Sequence, residues 1–222
     1  MATNTPANHY LYTMDEYSRA PLVDIVNIIA NDSDVRVVVD VGANSGATAQ
    51  IFGAAPSITK VFCYEPDRVN FDYLYSILLS NPTKFNLFNH GIYYGETSLD
   101  VYLPLLPDQT DIYQTCGGYS VAPNDIHTTN TYKSCGKTFQ MRTLEETLPN
   151  GIIPDFVKLD VEGSEKNILQ HSTIIHCAKY LFVETVHFEN FHQFCQKYLP
   201  DFKVIRDLGS DCLLQRRDTM TS

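Results

Sequence analysis

VVVDVGANSG, residues 37–46, places β-branched residues before and after an acid, and then two glycines spaced four apart. The apolar run predicts a strand buried on both faces. The glycines predict a sharp backbone turn, or a point where another group comes very close to the backbone. In a parallel α/β sheet such a turn follows a strand at the edge where ligands bind.

Apolar strands alternate with amphipathic helices along the rest of the chain, which predicts an α/β fold with a mainly parallel sheet covered on both faces. The closing stretch FKVIRDLGSDCLLQRR predicts a C-terminal antiparallel hairpin around Leu-Gly-Ser. We expect one domain over residues 1–222. Residues 1–34 form an N-terminal flap and helix in this interpretation, and residues 105–137 form a variable loop insertion, with a small hairpin as the alternative.

Composition restricts the classes of partner. The 222 residues carry a formal net charge of −10, and the lysines and arginines are scattered, so we expect no nucleic-acid and no anionic-membrane partner. No apolar run approaches the roughly 20 residues that cross a bilayer. The six cysteines form no CxxC pair, and Cys63, Cys177 and Cys212 stand in apolar stretches. Together with a start that lacks a signal-peptide pattern, this predicts a cytoplasmic protein.

A nucleoside cofactor is indicated by an acid 19 residues beyond the second glycine. Glu65 ends the second predicted strand, where a carboxylate can accept both hydroxyls of a ribose. The G-x-G-x-x-G pattern of nicotinamide binding is absent, and Asp40 beside the turn disfavours a pyrophosphate. S-adenosylmethionine carries an ammonium and a sulfonium, so it suits this acidic turn better.

Four motifs resemble the FkbM-type S-adenosylmethionine-dependent methyltransferases: VVVDVGANSG, VFCYEPD, FVKLDVEGSEKNIL and LFVET. Their order and spacing match from about Val37 to Glu184. The resemblance implies a Rossmann-like seven-stranded methyltransferase fold and O-methyl transfer to a hydroxyl of a small molecule or sugar. It says little about residues 105–137, where we expect the acceptor to be chosen.

The same resemblance implies a set of cofactor-binding residues in the first, second and third turns and in the acidic motif. They are Asp40, Gly42, Ala43, Asn44 and Gly46 for the methionine end, Glu65 for the ribose, Pro66, Asp67, Asn89, His90 and Gly91 for the adenine, and Asp160 facing the cofactor. Glu165 follows in the acidic motif, where it is also explained as the acid that offsets the dipole of a helix start.

Methyl transfer needs a positioned acceptor and a group that removes its proton. The catalytic candidates are Asp160, Glu162, Glu184 and His187, because the last two end the strand next to the acidic motif. Alternation along a strand predicts that Lys158, Asp160 and Glu162 share one side, where Lys158 pairs with Glu162. His187 is equally well explained as a packed residue at a strand end.

Metal binding is not expected, although Asp160 and Glu184 offer the oxygen ligands that magnesium prefers. A zinc set of His187, His192 and Cys195 is better explained by core packing, since Cys195 shares an apolar helix face with Phe191 and Phe194.

Several rival functions fit less well. Ribose methylation by a Lys-Asp-Lys-Glu tetrad needs a lysine before the first strand, and the first lysine is Lys60. The position after strand four holds DVEGSE instead of the Pro-Pro-Tyr-like motif of nitrogen methylation. A catalytically inactive methyltransferase-fold binding protein stays open as the alternative. Tyrosines 10, 12, 17, 113, 119 and 132 are hypothesised to close over the acceptor.

Overall fold

The structure is a computed structural model that describes residues 25, 29, 32, 34–105, 120–121 and 131–217. Ten strands are present in this part of the chain: β1 (Val37–Val41), β2 (Lys60–Tyr64), β3 (Phe85–Phe88), β4 (Gly91–Ile92), β5 (Ser98–Leu105), β6 (Thr131–Arg142), β7 (Phe156–Leu159), β8 (Tyr180–Glu184), β9 (Phe202–Asp207) and β10 (Asp211–Arg216). The helices with defined bounds are α1 (Ala47–Ala54), α2 (Arg68–Leu78), α3 (Leu144–Thr147), α4 (Glu165–His171) and α5 (Phe191–Tyr198).

Seven strands form the main sheet in the order β3-β2-β1-β7-β8-β10-β9. The pairs among the first five are parallel, and β10 runs antiparallel to both β8 and β9. The predicted fold class, a Rossmann-like seven-stranded sheet with a C-terminal antiparallel hairpin, is therefore confirmed. Strand order reverses between β1 and β7, so their carboxyl ends flank the position where such sheets bind ligands.

A second sheet, in the order β4-β6-β5, differs from the sequence-based expectation. Residues 131–137, expected to belong to a loop or small hairpin, are part of the twelve-residue strand β6, which pairs antiparallel with β5. The apolar stretch 85–92 forms two strands, of which β3 joins the main sheet and β4 joins the second one. The sequence of β6 does not predict a strand because it is rich in Thr, Lys and Ser. An antiparallel strand with one face toward solvent does not need a continuous apolar sequence.

Buried residues of β1 pack on both faces of the main sheet. Val39 and Val41 belong to one apolar cluster and Val38 to the other, which also contains Ile25 and Ile29. Full burial of a Val or Leu side chain contributes about 1.5–3 kcal/mol. Ile25 and Ile29 are helical, which agrees with the predicted helix near the start; the rest of that helix and the predicted flap lie outside the described residues.

Of the three cysteines that stand in apolar stretches of the sequence, Cys63 and Cys212 are buried, but Cys177 is exposed. Cys177 lies in a short 3-10 turn, Ile175–Cys177, whose buried residue is Ile175. The apolar stretch around Cys177 therefore turns Ile175, and not the thiol, toward the core.

Asp155 joins three strands at the amino edge of the main sheet. Its carboxylate accepts hydrogen bonds from the N–H groups of Arg36 and Val37, both at 2.8 Å. Its backbone carbonyl accepts from Lys179 and Tyr180, at the start of β8. These bonds satisfy backbone donors that precede the regular ladders of β1 and β8.

Gly42 brings the end of β1 against the residue that follows β7. Its φ is +79°, and a Cβ at this position would lie 1.8 Å from the carbonyl oxygen of Asp160. A side chain is therefore excluded by space as well as by backbone conformation.

We predict that Gly42→Ala destabilises the protein by at least about 2 kcal/mol more than Gly151→Ala. Gly151 has a similar φ, +83°, but a Cβ there meets nothing within 4 Å. Both changes carry the backbone strain, of order 1–3 kcal/mol, and Gly42→Ala adds the overlap with Asp160. Urea denaturation of the two variants measures the difference; equal losses would show that Gly42 is required for its φ alone.

Candidate functional site

Lys158 is a buried cation at the carboxyl edge between β1 and β7. Its side chain is 4% exposed, and its Nζ lies 3.2 Å from Oδ1 of Asp40 and 3.3 Å from Oδ2 of Asp160. The ammonium also donates a hydrogen bond to the carbonyl of Gly42 at 3.0 Å. One cation thus joins the glycine turn to the end of β7.

Asp40 is fully buried, and burial raises its pKa while Lys158 lowers it. Asp40 was expected to hold the methionine end of the cofactor, but here its carboxylate faces Lys158. Asp160 differs, because its side chain is 37% exposed. Of these two acids, Asp160 is the one that presents charge to solvent.

Glu65 organises the turn that follows β1. Its carboxylate accepts hydrogen bonds from the N–H of Asn44 at 2.8 Å and of Asp67 at 2.9 Å. Asn44 has a φ of 48°, a left-handed conformation that asparagine tolerates better than most residues. Burial raises the pKa of Glu65 to about 7, although these two hydrogen bonds lower it.

The remaining residues of the turn are packed closely. Ala43 is buried. Gly46 has a φ of +88°, and a Cβ there would lie 2.6 Å from Leu74. The turn therefore packs directly against α2.

The expected adenine-binding residues lie beside Glu65. Asp67 is the N-cap of α2 and accepts hydrogen bonds from two of its backbone N–H groups. Asn89 donates to the carbonyls of Glu65 and Pro66. A Cβ on Gly91 would lie 2.5 Å from the sulfur of Met141 and 3.6 Å from Pro66, so the β4 backbone comes close to this turn.

His90 lies against the aromatic rings of Tyr64 and Phe88, with centroids 5.5 and 5.7 Å away. Burial lowers its pKa to about 4, so the imidazole is neutral near pH 7. A neutral, half-buried ring agrees with an apolar environment at this position.

The turn after β7 departs from the predicted strand alternation. The strand ends at Leu159, and Glu162 has a left-handed φ of 55°. The expectation that Glu162 lies on the same side as Lys158 and Asp160 is therefore wrong, whereas the charged ends of Lys158 and Asp160 do lie together, 3.3 Å apart. Lys158 forms ion pairs with Asp40 and Asp160, where a pair with Glu162 was expected.

Glu165 is the first residue of α4, as expected of an acid at a helix start, and its carboxylate also closes this turn with hydrogen bonds. It is fully buried and accepts from the N–H of Val161 at 2.8 Å and of Gly163 at 2.9 Å. Burial and the nearby Glu184 raise its pKa to about 8, against the effect of those hydrogen bonds.

Glu162, Glu184 and His187 meet in front of the ends of β7 and β8. We call these three side chains the acid–histidine cluster. Nε2 of His187 lies 3.4 Å from one oxygen of each glutamate. The interpretation of His187 as merely a packed residue is not favoured by this arrangement.

Burial and opposing charges shift the pKa values of the cluster. Burial alone lowers the pKa of His187, but the two carboxylates outweigh it and raise that pKa to about 10. Burial raises the pKa of Glu184 to about 7, with His187 opposing it, and it also raises that of Glu162. Such perturbed groups in one place are typical of functional sites.

Tyr132 lies within electrostatic reach of the cluster. Burial raises its pKa, and the charges of Glu162 and Glu184 raise it further. Since Tyr132 is the second residue of β6, the second sheet brings this tyrosine toward Glu162 and Glu184. The other tyrosines expected to close over an acceptor, at 10, 12, 17, 113 and 119, lie outside the described residues.

The zinc set considered from the sequence is not brought together. The side chain of His192 is largely exposed and pairs with Asp207, whereas Cys195 is buried in the apolar cluster of α5. Among the described residues, the group that could hold a metal ion is the acid–histidine cluster.

Two contributions to this region were missed at the level of sequence: the bridging role of Lys158 and the presence of Asp211. The register pairs Asp40 with Lys158 and Glu184 with Asp211. An aspartate inside an otherwise apolar strand is the signal that a buried cation is needed beside it.

No helix in the described part of the chain is long and apolar enough to span a membrane. No curated protein matches the sequence significantly.

The fold is similar to those of solved methyltransferases at very low sequence identity. A methyltransferase from Geobacter sulfurreducens is 15% identical, with 92% of this chain and 86% of that one covered and a TM-score of 0.50. An rRNA methylase from Streptococcus thermophilus is 8% identical, with 90% and 98% covered and a TM-score of 0.51. At these identities the likeness concerns the fold alone.

The sequence itself identifies the family. The family model described as "Methyltransferase FkbM domain" matches residues 40–213, which include the end of β1 with its glycine turn, the turn after β7 and the acid–histidine cluster. The family resemblance expected from the four motifs is thereby confirmed. This chain belongs to the FkbM-domain methyltransferase family.

Proposed function

We propose that this protein transfers the methyl group of S-adenosylmethionine to a hydroxyl of a small molecule or sugar. The observation that carries the proposal is the acid–histidine cluster beside Asp160, at the sheet edge where strand order reverses. A site of this kind can bind a cationic methyl donor and receive a proton from an acceptor.

The cofactor part of the proposal rests on family membership, the turn after β1 and the charge at the sheet edge. Gly42 lets the turn pack directly against the backbone of Asp160, which brings the glycine turn and the Asp160 carboxylate together at the ends of β1 and β7. Asp160 supplies a solvent-facing negative charge for the sulfonium and ammonium groups. Oε1 of Glu65 accepts from both Asp67 and Asn70, whereas Oε2 accepts from Asn44 and has a second lone pair that can accept from a ribose hydroxyl.

In the transfer step the S–CH₃ bond breaks and an O–CH₃ bond forms, while the hydroxyl proton passes to a carboxylate of the cluster. We propose Glu184 as the group that takes the proton, because a base works best when its pKa lies near the working pH. Burial holds the pKa of Glu184 at about 7. Glu162 and His187 position the acceptor oxygen beside it.

A small acceptor is favoured over a nucleic acid by charge. The net charge is −10, and the site contains Asp160, Glu162 and Glu184, whereas a phosphate backbone needs clustered Lys and Arg. An rRNA methylase shares the fold, but 8% identity carries no substrate information. We place the whole chain, residues 1–222, in one methyltransferase domain that works in the cytoplasm.

We predict that affinity for S-adenosylmethionine falls about tenfold between pH 8 and pH 6. With a pKa of about 7, Glu65 is mostly ionised at pH 8 and mostly protonated at pH 6, and the protonated form accepts ribose hydroxyls less well. Isothermal titration calorimetry across this range measures the change.

Glu65→Gln is the control for this pH series. Titration of S-adenosylmethionine itself affects the wild type and the variant equally, so a difference between the two proteins reports on Glu65. The variant should bind S-adenosylmethionine more weakly than the wild type at pH 8, and its affinity should not fall near pH 7. If the affinity of both proteins falls equally near pH 7, Glu65 does not bind the ribose.

We predict that Glu184→Gln lowers kcat about 100-fold or more and leaves the Kd for S-adenosylmethionine unchanged, because it removes the base without touching the cofactor turn. Transfer of a labelled methyl group to a panel of hydroxylated sugars and phenols measures kcat. Asp207→Asn is the control. Asp207 lies outside the cluster and forms a similar acid–histidine pair, in which its Oδ2 is 3.2 Å from Nε2 of His192.

Two results would contradict this assignment. If Glu184→Gln transfers methyl groups as fast as Asp207→Asn, the base lies elsewhere. If the wild-type protein binds S-adenosylmethionine and methylates no hydroxyl in the panel, the chain is better described as an inactive methyltransferase-fold binding protein.

A further inference from the structure

The acid–histidine cluster has the ligand types and spacing of a metal site. One oxygen of Glu162, one oxygen of Glu184 and one nitrogen of His187 lie within 4.8 Å of one another. Two ligand atoms that are each about 2.1 Å from a tetrahedral ion lie about 3.4 Å apart. Nε2 of His187 is 3.4 Å from both glutamate oxygens.

His187 supplies an independent observation that points to a ligand. Its side chain is 9% exposed, and neither ring nitrogen makes a hydrogen bond of acceptable geometry within the described part of the chain. At 3.4 Å its Nε2 is farther from the carboxylates than the 2.7–3.2 Å typical of N–H···O bonds. The imidazole of His187 thus points at two carboxylates but is too far from them for a close hydrogen bond. An ion can lie between its Nε2 and the two carboxylate oxygens.

Charge around the cluster favours a cation. Glu162 and Glu184 lie within electrostatic reach of Asp160, so three carboxylates meet in this region. Lys158, the nearest buried cation, already contacts Asp40, Asp160 and the carbonyl of Gly42. The cluster also remains accessible, since the side chain of Glu162 is 30% exposed.

From these observations we propose that Glu162, Glu184 and His187 bind a divalent transition-metal ion such as Mn²⁺ or Zn²⁺. One imidazole and two carboxylates favour these ions over Mg²⁺, which prefers oxygen ligands alone and keeps its waters. The site differs from the magnesium pair considered from the sequence, because Asp160 is paired with Lys158 and Glu162 takes its place.

The role of the ion rests on the proposed function. A bound divalent ion would polarise the acceptor hydroxyl and lower its pKa, and the oxygen of Glu184 that does not bind the ion would take the proton. The three protein ligands leave further coordination positions open, as catalytic metal sites do, and Glu162 faces the solvent from which an acceptor enters. Acceptors with two neighbouring oxygens, as in vicinal diols of sugars, would then be favoured because they can chelate the ion.

Metal binding is tested without reference to activity. Purified protein, stripped with a chelator and dialysed, is titrated with Mn²⁺ while the free-ion electron paramagnetic resonance signal is followed, and separately with Zn²⁺ and Mg²⁺ by calorimetry. We expect one Mn²⁺ or Zn²⁺ per chain, bound more tightly than Mg²⁺. His187→Ala should weaken binding of both transition metals at least about 100-fold.

Two further variants make the result specific. Glu162→Gln changes a partly exposed residue, so it should fold even if His187→Ala does not, and it should also weaken Mn²⁺ binding. His192→Ala removes a histidine that pairs with a carboxylate elsewhere and should bind Mn²⁺ like the wild type. Thermal unfolding followed by circular dichroism establishes that each variant is folded.

The inference would be overturned if neither Mn²⁺ nor Zn²⁺ binds at millimolar concentration, or if Glu162→Gln and His187→Ala both bind them like the wild type. Binding of S-adenosylmethionine and methyl transfer are measured in the same preparations. Methyl transfer by a protein that binds no metal would contradict the metal site and support the proposed function. Metal binding by the wild type that is lost in the variants, without methyl transfer to any acceptor, would support the metal site and contradict the proposed function.

Discussion

The structure depends on one buried cation at the edge between β1 and β7. Removing an ammonium from water costs several kcal/mol, so Lys158 requires partners that approach it closely. Asp40, Asp160 and the carbonyl of Gly42 meet that requirement. Their convergence holds the glycine turn against the end of β7. The backbone of Gly42 and the carboxylate of Asp160 are consequently placed side by side, where the site begins.

Most of the main sheet could be predicted because its strands are short apolar runs separated by clear helix and turn signals. The run Val37–Val41 and the hairpin around Gly209 are examples in which local pattern and final structure agree. Strand β6 could not be predicted in this way. Its polar residues are stabilised as a strand by pairing with β5 and β4, which are distant in sequence.

The site was predicted in part for a simple geometric reason. Glu162, Glu184 and His187 follow two neighbouring strands, and parallel strands end at one edge. The detailed contacts depended on where β7 stops. Period-two alternation was assumed as far as Glu162, but the strand ends at Leu159 and the chain then turns through a left-handed residue. That turn places Glu162 beside His187, and Lys158 pairs with Asp40 instead of with Glu162. No local sequence pattern indicates this change of partners.

Asp155 lies at the opposite edge of the same sheet and ties the starts of β1 and β8 through its side chain and its carbonyl. Hydrogen bonds of Asp155 therefore connect the amino ends of these strands, and the candidate site lies at their carboxyl ends. We expect substitutions at the amino ends to change thermal stability and substitutions at the carboxyl ends to change the choice of substrate. Within such a family, durability and substrate range can evolve along separate routes, because different residues at opposite ends of each strand control them.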